Sequence, residues 1–323
     1  YQHAPYEFQL ARKAEILREQ LARVGKIDYS GEIEIVSGPP FGYRNRVQVH
    51  IAERGRRLAL GYLAPRSHEL VPLEGDCPIS SPRVNQVLAL LRERLHDPRF
   101  PRFIQSLELF TNENELQINV LEKSQPVAKS FAEWFECSQE IDYPTAIGAF
   151  RVQPRSFFQV NRFLIEKLVE AALREVRGET ALDLYAGVGL FAIPMAGRFA
   201  SVTAVESGLS AARDLDFNAA RAGAELAVEH ARVEDFLSKL EQAPEFILAD
   251  PPRAGLDKNV VAQLKRLGPA RLTIVSCDPA TLARDLAGLV DNAPASYAIE
   301  HLTMIDLFPQ TYHLETIAHL QRV

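Results

Sequence analysis

The chain has 323 residues, of which 47% are hydrophobic, so it is long enough to form two domains with full cores. Its formal net charge of -6 argues against strong non-specific attraction to polyanions. No stretch approaches the roughly 20 apolar residues of a membrane span, and no basic segment leads into an apolar run at the amino terminus, so we expect a cytoplasmic protein without membrane contacts.

The first half of the chain predicts a helix followed by a small α+β module. Residues 6–24 carry apolar side chains at helical spacing, and Gly25 is a plausible stop signal. From residue 32 to residue 121 the pattern changes to short alternating runs, which are typical of strands, with one amphipathic helix at about 82–95 and another at about 127–135.

These patterns define the predicted strands and domains. The strand runs are residues 32–37, 43–53, 57–63, 104–111 and 115–121, with hairpin turns at Arg54-Gly55-Arg56 and Asn112-Glu113-Asn114. The predicted domains are an N-terminal helix (1–28) that docks on the C-terminal domain, a central α+β module (29–143) and a C-terminal domain (144–323).

Arginines alternate with aromatic residues in the central module. Between Phe41 and Leu70 the chain has few acidic residues, and a surface of this composition suits contacts with phosphates and bases. The arginines are Arg44, Arg46, Arg54, Arg56, Arg57 and Arg66. A solvated arginine-rich hairpin without a partner explains the same composition equally well.

After about Pro144 the pattern is strand–helix alternation. Apolar runs at 181–185, 201–205, 225–228, 246–249 and 272–275 are separated by helix-length segments, which predicts an α/β fold with a doubly wound parallel sheet. The last two runs, 297–307 and 313–323, leave no room for a helix between them and predict an antiparallel hairpin at one side of the sheet. This arrangement resembles the class I S-adenosylmethionine-dependent methyltransferases.

The segment from Asp183 to Ala192 predicts a cofactor site. Gly187 and Gly189 allow a tight turn and close approach of a ligand, and Glu206 ends the next strand, where an acidic side chain can bind ribose hydroxyls. The same residues satisfy a dinucleotide fingerprint, which leaves a nicotinamide dehydrogenase open. Asp183 favours the methyl donor, because a carboxylate would repel a pyrophosphate but attract a sulfonium and an ammonium group.

Two further strand ends carry chemical groups. Asp250-Pro251-Pro252-Arg253 predicts a stiff loop that holds a planar substrate, although a stiff turn with a surface arginine is the alternative. Arg253 stands where enzymes that methylate amino groups usually have an aromatic residue, which argues against that chemistry. Cys277 directly follows a strand, at the sheet edge where α/β folds bind ligands. It is one of three widely spaced cysteines, for which we expect reduced thiols.

Three sequence blocks resemble the RNA uracil-5-methyltransferase family, whose members methylate uridines in tRNA or in large-subunit rRNA. They are Asp250-Pro-Pro-Arg-Ala-Gly-Leu256, Ser276-Cys-Asp-Pro-Ala-Thr-Leu-Ala-Arg-Asp-Leu286 and Asp306-Leu-Phe-Pro-Gln-Thr-Tyr-His-Leu-Glu315. The resemblance continues through Ser156-Phe-Phe-Gln159 and Tyr1-Gln-His, and it is weakest in the central module.

The resemblance implies a covalent mechanism and assigns residues to it. Cys277 is expected to add to carbon 6 of uracil, and Glu315 to remove the proton from carbon 5. Contacts with S-adenosylmethionine are expected from Gln159, Tyr185, Glu206 and Asp250, with Gly187 shaping the loop. Substrate contacts are expected from Arg253, Arg44 and Arg46. His313 either tunes the base or merely packs.

Two features of relatives concern longer forms of the chain. Many relatives hold an iron–sulfur cluster on four cysteines, and Cys77-Pro78 resembles the fourth position; one thiol cannot hold such a cluster, so we expect no metal on these residues. Many relatives also have an N-terminal TRAM domain, which binds RNA and which this sequence does not include. The Tyr-Gln-His start and Cys77-Pro78 favour rRNA over tRNA as substrate.

Three alternatives to uridine methylation remain at this stage. They are RNA cytosine-5 methylation, a non-catalytic RNA-binding or assembly role on the same fold, and, least favoured, the dehydrogenase. The chain is expected to act as a monomer.

Overall fold

A computed structural model describes residues 1–55, 57–128, 130–290 and 296–323. They form two compact units. The larger unit comprises residues 1–38, 145–158 and 163–323, and the smaller unit comprises residues 39–144 and 159–162.

Most of the predicted helices and strands are present, whereas the strands at Leu70–Pro72, Ile141–Thr145 and Gly148–Val152 were not predicted. The helices are α1 (Tyr6–Arg23), α2 (Pro82–Arg94), α3 (Ser130–Glu133), α4 (Ile165–Ala172), α5 (Ala192–Met195), α6 (Leu209–Ala222), α7 (Val233–Lys239), α8 (Lys258–Leu267) and α9 (Pro279–Leu289). The strands are β1 (Ile33–Val36), β2 (Arg46–Arg54), β3 (Arg57–Leu63), β4 (Leu70–Pro72), β5 (Ile104–Thr111), β6 (Leu116–Lys123), β7 (Ile141–Thr145), β8 (Gly148–Val152), β9 (Gly178–Leu184), β10 (Phe199–Val205), β11 (Ala227–Glu229), β12 (Phe246–Ala249), β13 (Arg271–Ser276), β14 (Tyr297–Ile305) and β15 (Glu315–Arg322).

The larger unit is built on an eight-stranded sheet with the strand order β1-β14-β15-β13-β12-β9-β10-β11. Strand β15 runs antiparallel to both of its neighbours, and all other neighbouring pairs are parallel. The central strands β12 and β13 are almost continuously buried, as expected for strands that are covered on both faces. The predicted α/β fold, a doubly wound sheet with an antiparallel C-terminal hairpin, is confirmed.

Helices cover both faces of this sheet. On one face α1, α7, α8 and α9 share a core with the strands, and on the other α5 and α6 contribute to a second apolar cluster. The order of the strands reverses direction between β9 and β12, because β10 lies on one side of β9 and β12 on the other. This topological switch point is where α/β folds bind their ligands.

The smaller unit contains a five-stranded antiparallel sheet with the order β4-β3-β2-β5-β6. Helix α2 packs on this sheet in one apolar core, so the expected α+β character is present. The predicted turn at residues 112–114 joins β5 and β6, and Glu113 adopts a positive φ of 77° there. In the other predicted turn, Arg56 lies outside the described residues.

Two predicted boundaries differ from the structure. Residues 29–38 belong to the larger unit, because β1 pairs in parallel with β14, Ile33 opposite Leu302. The second helix of the central module, expected at 127–135, is only the short α3. None of the helices among the described residues is long and apolar enough to cross a membrane.

Candidate active site

The chemical groups predicted at separate strand ends meet at one edge of the large sheet. In the parallel pairs Leu184 lies opposite Ala249, and Ala249 opposite Ile274, so the residues that follow β9, β12 and β13 emerge side by side. Strand β15 runs the other way, and its first residues therefore reach the same edge, with Thr316 opposite Ser276. Asp250, Cys277 and Glu315 are brought together by this register.

Cys277 stands at a tight turn from strand to helix. Asp278 caps α9 by accepting hydrogen bonds from the amides of Ala280 (3.0 Å) and Thr281 (2.9 Å), and Pro279 occupies the first turn. The helix can therefore start directly after the strand. The half-buried Cys277 lines a cavity of about 220 Å³.

The loop after β12 carries Arg253 to the same cavity. Helix α9 holds the end of this loop, since the Leu256 amide donates to Asp285 Oδ2 at 2.8 Å. Gly255 has a φ of 77°, and a Cβ there would lie 2.4 Å from Asp285 Oδ2, so only glycine fits. Arg253 Nη2 lies 3.3 Å from His313 Nδ1, and His313 also lines the cavity. The predicted Arg253 and His313 thus share one wall.

The glycine segment after β9 forms a second concave element. Gly187 has a φ of 56°, and its amide donates to Glu206 Oε2 at 2.9 Å; the other oxygen, Oε1, accepts from the Gly208 amide at 2.5 Å. A Cβ on Gly187 would meet nothing within 4 Å, so the glycine faces open space. Tyr185 is half-buried and also has a positive φ, 64°. The positive φ angles of Tyr185 and Gly187 turn the chain sharply after β9, and this turn brings the Gly187 amide to Glu206.

Three buried or half-buried carboxyl groups lie behind this edge. Asp183 is fully buried, and neither of its carboxylate oxygens has a well-formed hydrogen bond to a described residue. Burial raises the pKa of Asp183 well above its ordinary value, and repulsion from Asp250 adds to this. The backbone amide of Ala192 is near enough to lower the pKa of Asp183 somewhat. Burial also raises the pKa of Asp250 to about 7 and, together with Asp250, raises that of Glu315 well above its ordinary value. This edge favours a cationic ligand.

The Cys277 thiol is influenced by the same charges. Burial raises its pKa to about 11, with further contributions from Glu315 and Asp250, whereas the positive charge of Arg253 lowers it. In the protein alone the sulfur is therefore protonated at neutral pH. A positive charge near the carboxylates would offset their effect and favour the thiolate.

The other predicted contact residues belong to the smaller unit. Gln159 is buried, and its backbone carbonyl accepts a hydrogen bond from Asn45 Nδ2 at 3.2 Å. Arg44 is partly exposed, whereas Arg46 is buried, with its guanidinium 4.3 Å from the centre of the Phe110 ring. Burial of Arg46 was not predicted and makes it part of the core of this unit. Cys77 is also buried here as a free thiol.

A polar cluster between α1 and the segment before β15 was not predicted from the sequence. Lys13 and Asp306 are both fully buried and form an ion pair of 2.6 Å. The signal that was available is spacing, because Lys13 lies four residues before Leu17 and eight before Leu21 on the buried face of the helix. A lysine on such a face requires a buried partner.

Comparison with known proteins identifies the family. A model described as tRNA (uracil-5-)-methyltransferase matches residues 79–323. The chain belongs to this family. A 23S rRNA (uracil(1939)-C(5))-methyltransferase from Halomonas elongata is 31% identical over 99% of this chain and 73% of that protein. An uncharacterized RNA methyltransferase from Thermosynechococcus vestitus is 32% identical over 99% of the chain and 81% of its own length.

A solved structure agrees with this membership over nearly the whole chain. The Pyrococcus abyssi tRNA (uracil-54, C5)-methyltransferase, in complex with S-adenosyl-L-homocysteine, has a TM-score of 0.80 and 25% identity. The alignment covers 99% of this chain and 84% of that chain. The protein is thus an RNA uracil-5-methyltransferase that uses S-adenosylmethionine, as the sequence blocks implied.

The larger unit offers groups that fit S-adenosylmethionine. The open space at Gly187 and the backbone-bound carboxylate of Glu206 suit a ribose. The buried Asp183, whose oxygens have no well-formed hydrogen bond to a described residue, suits a further donor or a cation. The cofactor carries both an ammonium and a sulfonium. Tyr185 and Asp250 directly follow the neighbouring strands β9 and β12 and flank this region.

The carboxyl cluster predicts how stability depends on pH. The pKa of Asp250 is raised to about 7, so between about pH 4 and pH 7 the folded protein keeps a proton that the unfolded chain has lost, and the raised pKa of Glu315 acts in the same direction. The free energy of unfolding should therefore fall as the pH rises through this window, by a few kcal/mol at about 1.4 kcal/mol per pKa unit. Thermal unfolding of the cofactor-free protein from pH 4 to pH 7 measures this slope.

The matched variant for this measurement is Asp250→Asn. It removes one titrating group and should flatten the slope, whereas Asp235→Asn, on α7, should leave it unchanged. An equally steep slope in Asp250→Asn would contradict the assignment.

Proposed function

We propose that the protein methylates carbon 5 of a uridine in RNA through a covalent adduct between Cys277 and carbon 6 of the base, and that the RNA is ribosomal. The observation that carries the proposal is the cavity that presents Cys277 beside Arg253 and His313, with Asp250 and Glu315 buried close enough to influence the thiol. A nucleophile, a cation and carboxylates in one place are the groups that this chemistry requires.

The reaction needs a nucleophile because carbon 5 of uracil attacks electrophiles poorly. Cys277 gives its proton to a neighbouring carboxylate, and its sulfur then bonds to carbon 6, which moves the electrons of the 5,6 double bond towards oxygen 4 as an enolate. Asp250, with a pKa of about 7, suits the role of proton acceptor at neutral pH. Arg253 stabilises the negative charge that develops in this step.

S-adenosylmethionine, when bound, would supply an electrophilic methyl group, and the loss of this group would convert its sulfonium into a neutral sulfide. Carbon 5 forms the new carbon–carbon bond and then holds both the methyl group and its original hydrogen. Glu315 removes that proton, the 5,6 double bond forms again, and Cys277 leaves as the thiolate. Each bond that Cys277 makes is thereby broken at the end of the cycle.

The target base has to leave any helical stack before Cys277 can reach carbon 6. We assign recognition of the surrounding RNA to the α+β module of the smaller unit, residues 39–144, including the partly exposed Arg44. We assign cofactor contacts to Gln159, Tyr185, Gly187, Glu206 and Asp250. The buried Arg46 supports this module from within, and the proposal does not depend on its contact with RNA. N-terminal residues 1–28 are assigned to the catalytic domain.

Ribosomal RNA is favoured over tRNA by the relatives that match nearly the whole chain. The Halomonas elongata protein, 31% identical, is named for 23S rRNA, whereas the tRNA enzyme of Pyrococcus abyssi is 25% identical. The Tyr1-Gln-His start and Cys77-Pro78 point in the same direction.

The test is a denaturing gel with 5-fluorouridine-substituted RNA. Fluorine at carbon 5 cannot leave as a proton does, so the adduct should persist as a shifted band that requires both S-adenosylmethionine and Cys277. We expect the band with 23S rRNA fragments, and a much weaker one or none with tRNA. Absence of a band with either RNA, despite measured cofactor binding, would contradict the proposal and favour a cytosine-5 or non-catalytic role.

A further inference from the structure

Residues 306–314 form the connection between β14 and β15 and lead directly to Glu315. The two ends of this connection are fixed by the pairing of β14 with β15, since Ile305 lies opposite Glu315. Tyr312 and His313, in the second half of the connection, line the cavity that contains Cys277. The path of this connection therefore affects both the cavity wall and the first residue of β15.

Helix α1 holds the first half of the connection through a buried ion pair. Lys13 Nζ donates to Asp306 Oδ1 at 2.6 Å and to the Phe308 carbonyl at 3.1 Å. The hydroxyl of Tyr6 donates to the other Asp306 oxygen at 2.9 Å. Lys13 and Asp306 have fully buried side chains, so their interaction is not screened by water.

A second contact holds the tip of the connection. Gln310 is buried and has a left-handed backbone with a φ of 65°, which is costly for a residue other than glycine. The side chain of Gln9 donates to Gln310 Oε1 at 3.0 Å and accepts from the Gln310 amide at 3.2 Å. These paired hydrogen bonds stabilise the left-handed conformation of Gln310. Gln9 lies on α1 one helical turn before Lys13.

The same helix also contacts the segment that carries the nucleophile. Leu17 and Leu21 pack in one core with Leu282 and Leu286 of α9, the helix that begins just after Cys277. Ile16 lines the cavity. Helix α1 thus touches both the element that follows Cys277 and the connection that precedes Glu315.

We propose that α1 is a positioning element of the active site, in which Lys13, Asp306 and Gln9 set the location of Glu315 relative to the carbon 5 proton. The inference rests on the proposed role of Glu315 as the base. It assigns no contact with substrate to Lys13, which acts through Asp306 and the connection. A displaced Glu315 would slow proton removal, which follows methyl transfer, so the methylated adduct should accumulate.

The experiment compares Lys13→Met with Glu315→Gln on ordinary uridine-containing RNA and labelled S-adenosylmethionine. Glu315→Gln defines the expected signature, a labelled protein–RNA adduct that resists denaturation. Lys13→Met should show the same adduct together with at least a tenfold lower kcat and an unchanged Kd for the cofactor. Arg12→Met removes a charge from the exposed face of the same helix and should behave as the parent protein.

A purely structural role predicts a different result. Activity in Lys13→Met would then fall only in proportion to the folded fraction, with no adduct, and this outcome would overturn the inference while Glu315→Gln still accumulates the adduct. If Lys13→Met does not fold, Gln9→Ala decides by the same signature, because it removes the hydrogen bonds to Gln310 and one to the Ala4 carbonyl but leaves the Lys13–Asp306 ion pair in place. If Glu315→Gln itself accumulates no adduct, the base assignment is wrong and the inference fails with it.

Discussion

Replacing Cys277 with alanine is expected to lower the rate of methyl transfer to RNA by more than about 10³-fold. Without the sulfur, carbon 5 of the base stays a poor nucleophile, so neither the correct cofactor nor the correct RNA can restore the reaction. Cofactor affinity should remain within about twofold of the parent value, because Cys277 is not among the residues assigned to cofactor binding. Transfer of a labelled methyl group to RNA, together with calorimetric binding of S-adenosylhomocysteine, measures both quantities.

Cys137→Ala is the matched control for this variant. Burial raises the pKa of Cys137 to about 11, as it does for Cys277, but Cys137 lies in the smaller unit and does not line the cavity. Its removal should leave the rate unchanged. Comparable activity in Cys277→Ala and the parent protein would exclude covalent catalysis by this thiol.

Local patterns were sufficient to predict most of the larger unit. The strands from β9 to β13 are short apolar runs separated by helices, and the hairpin of β14 and β15 follows from the lack of room for a helix between them. The pairing of β1 with β14 was not predictable in this way, since it joins Ile33 to Leu302 across most of the chain. Edge strands of this kind are selected by tertiary packing, which a local pattern does not contain.

The site was predictable to the extent that it depends on topology. Residues that follow parallel strands meet at one sheet edge, which placed Asp250 and Cys277 together, and the hairpin direction added Glu315. Burial of individual charges was not predictable. Arg46 was grouped with the arginines of a nucleic-acid surface but packs on Phe110, and no buried partner was predicted for Lys13, which pairs with Asp306.

Replacing Glu315 with glutamine is expected to lower turnover by about 10²- to 10⁴-fold, the usual contribution of a general base. Burial, together with the charge of Asp250, raises the pKa of Glu315 well above its ordinary value and so favours the neutral form of the carboxyl group, which glutamine resembles in size and polarity. The fold should therefore be preserved. The first turnover should still transfer a methyl group, because attack by Cys277 precedes the step that needs the base.

The distinguishing result for Glu315→Gln is a burst of methyl transfer that stops at one equivalent per enzyme. Rapid-quench measurement of labelled RNA and of the denaturation-resistant adduct should show both rising together, with release of methylated RNA slowed. Glu300→Gln, at an exposed position on the adjacent strand β14, should turn over normally. Loss of the burst along with turnover would instead assign Glu315 to a step before methyl transfer, such as ionisation of the Cys277 thiol, whose pKa it already raises in the free protein.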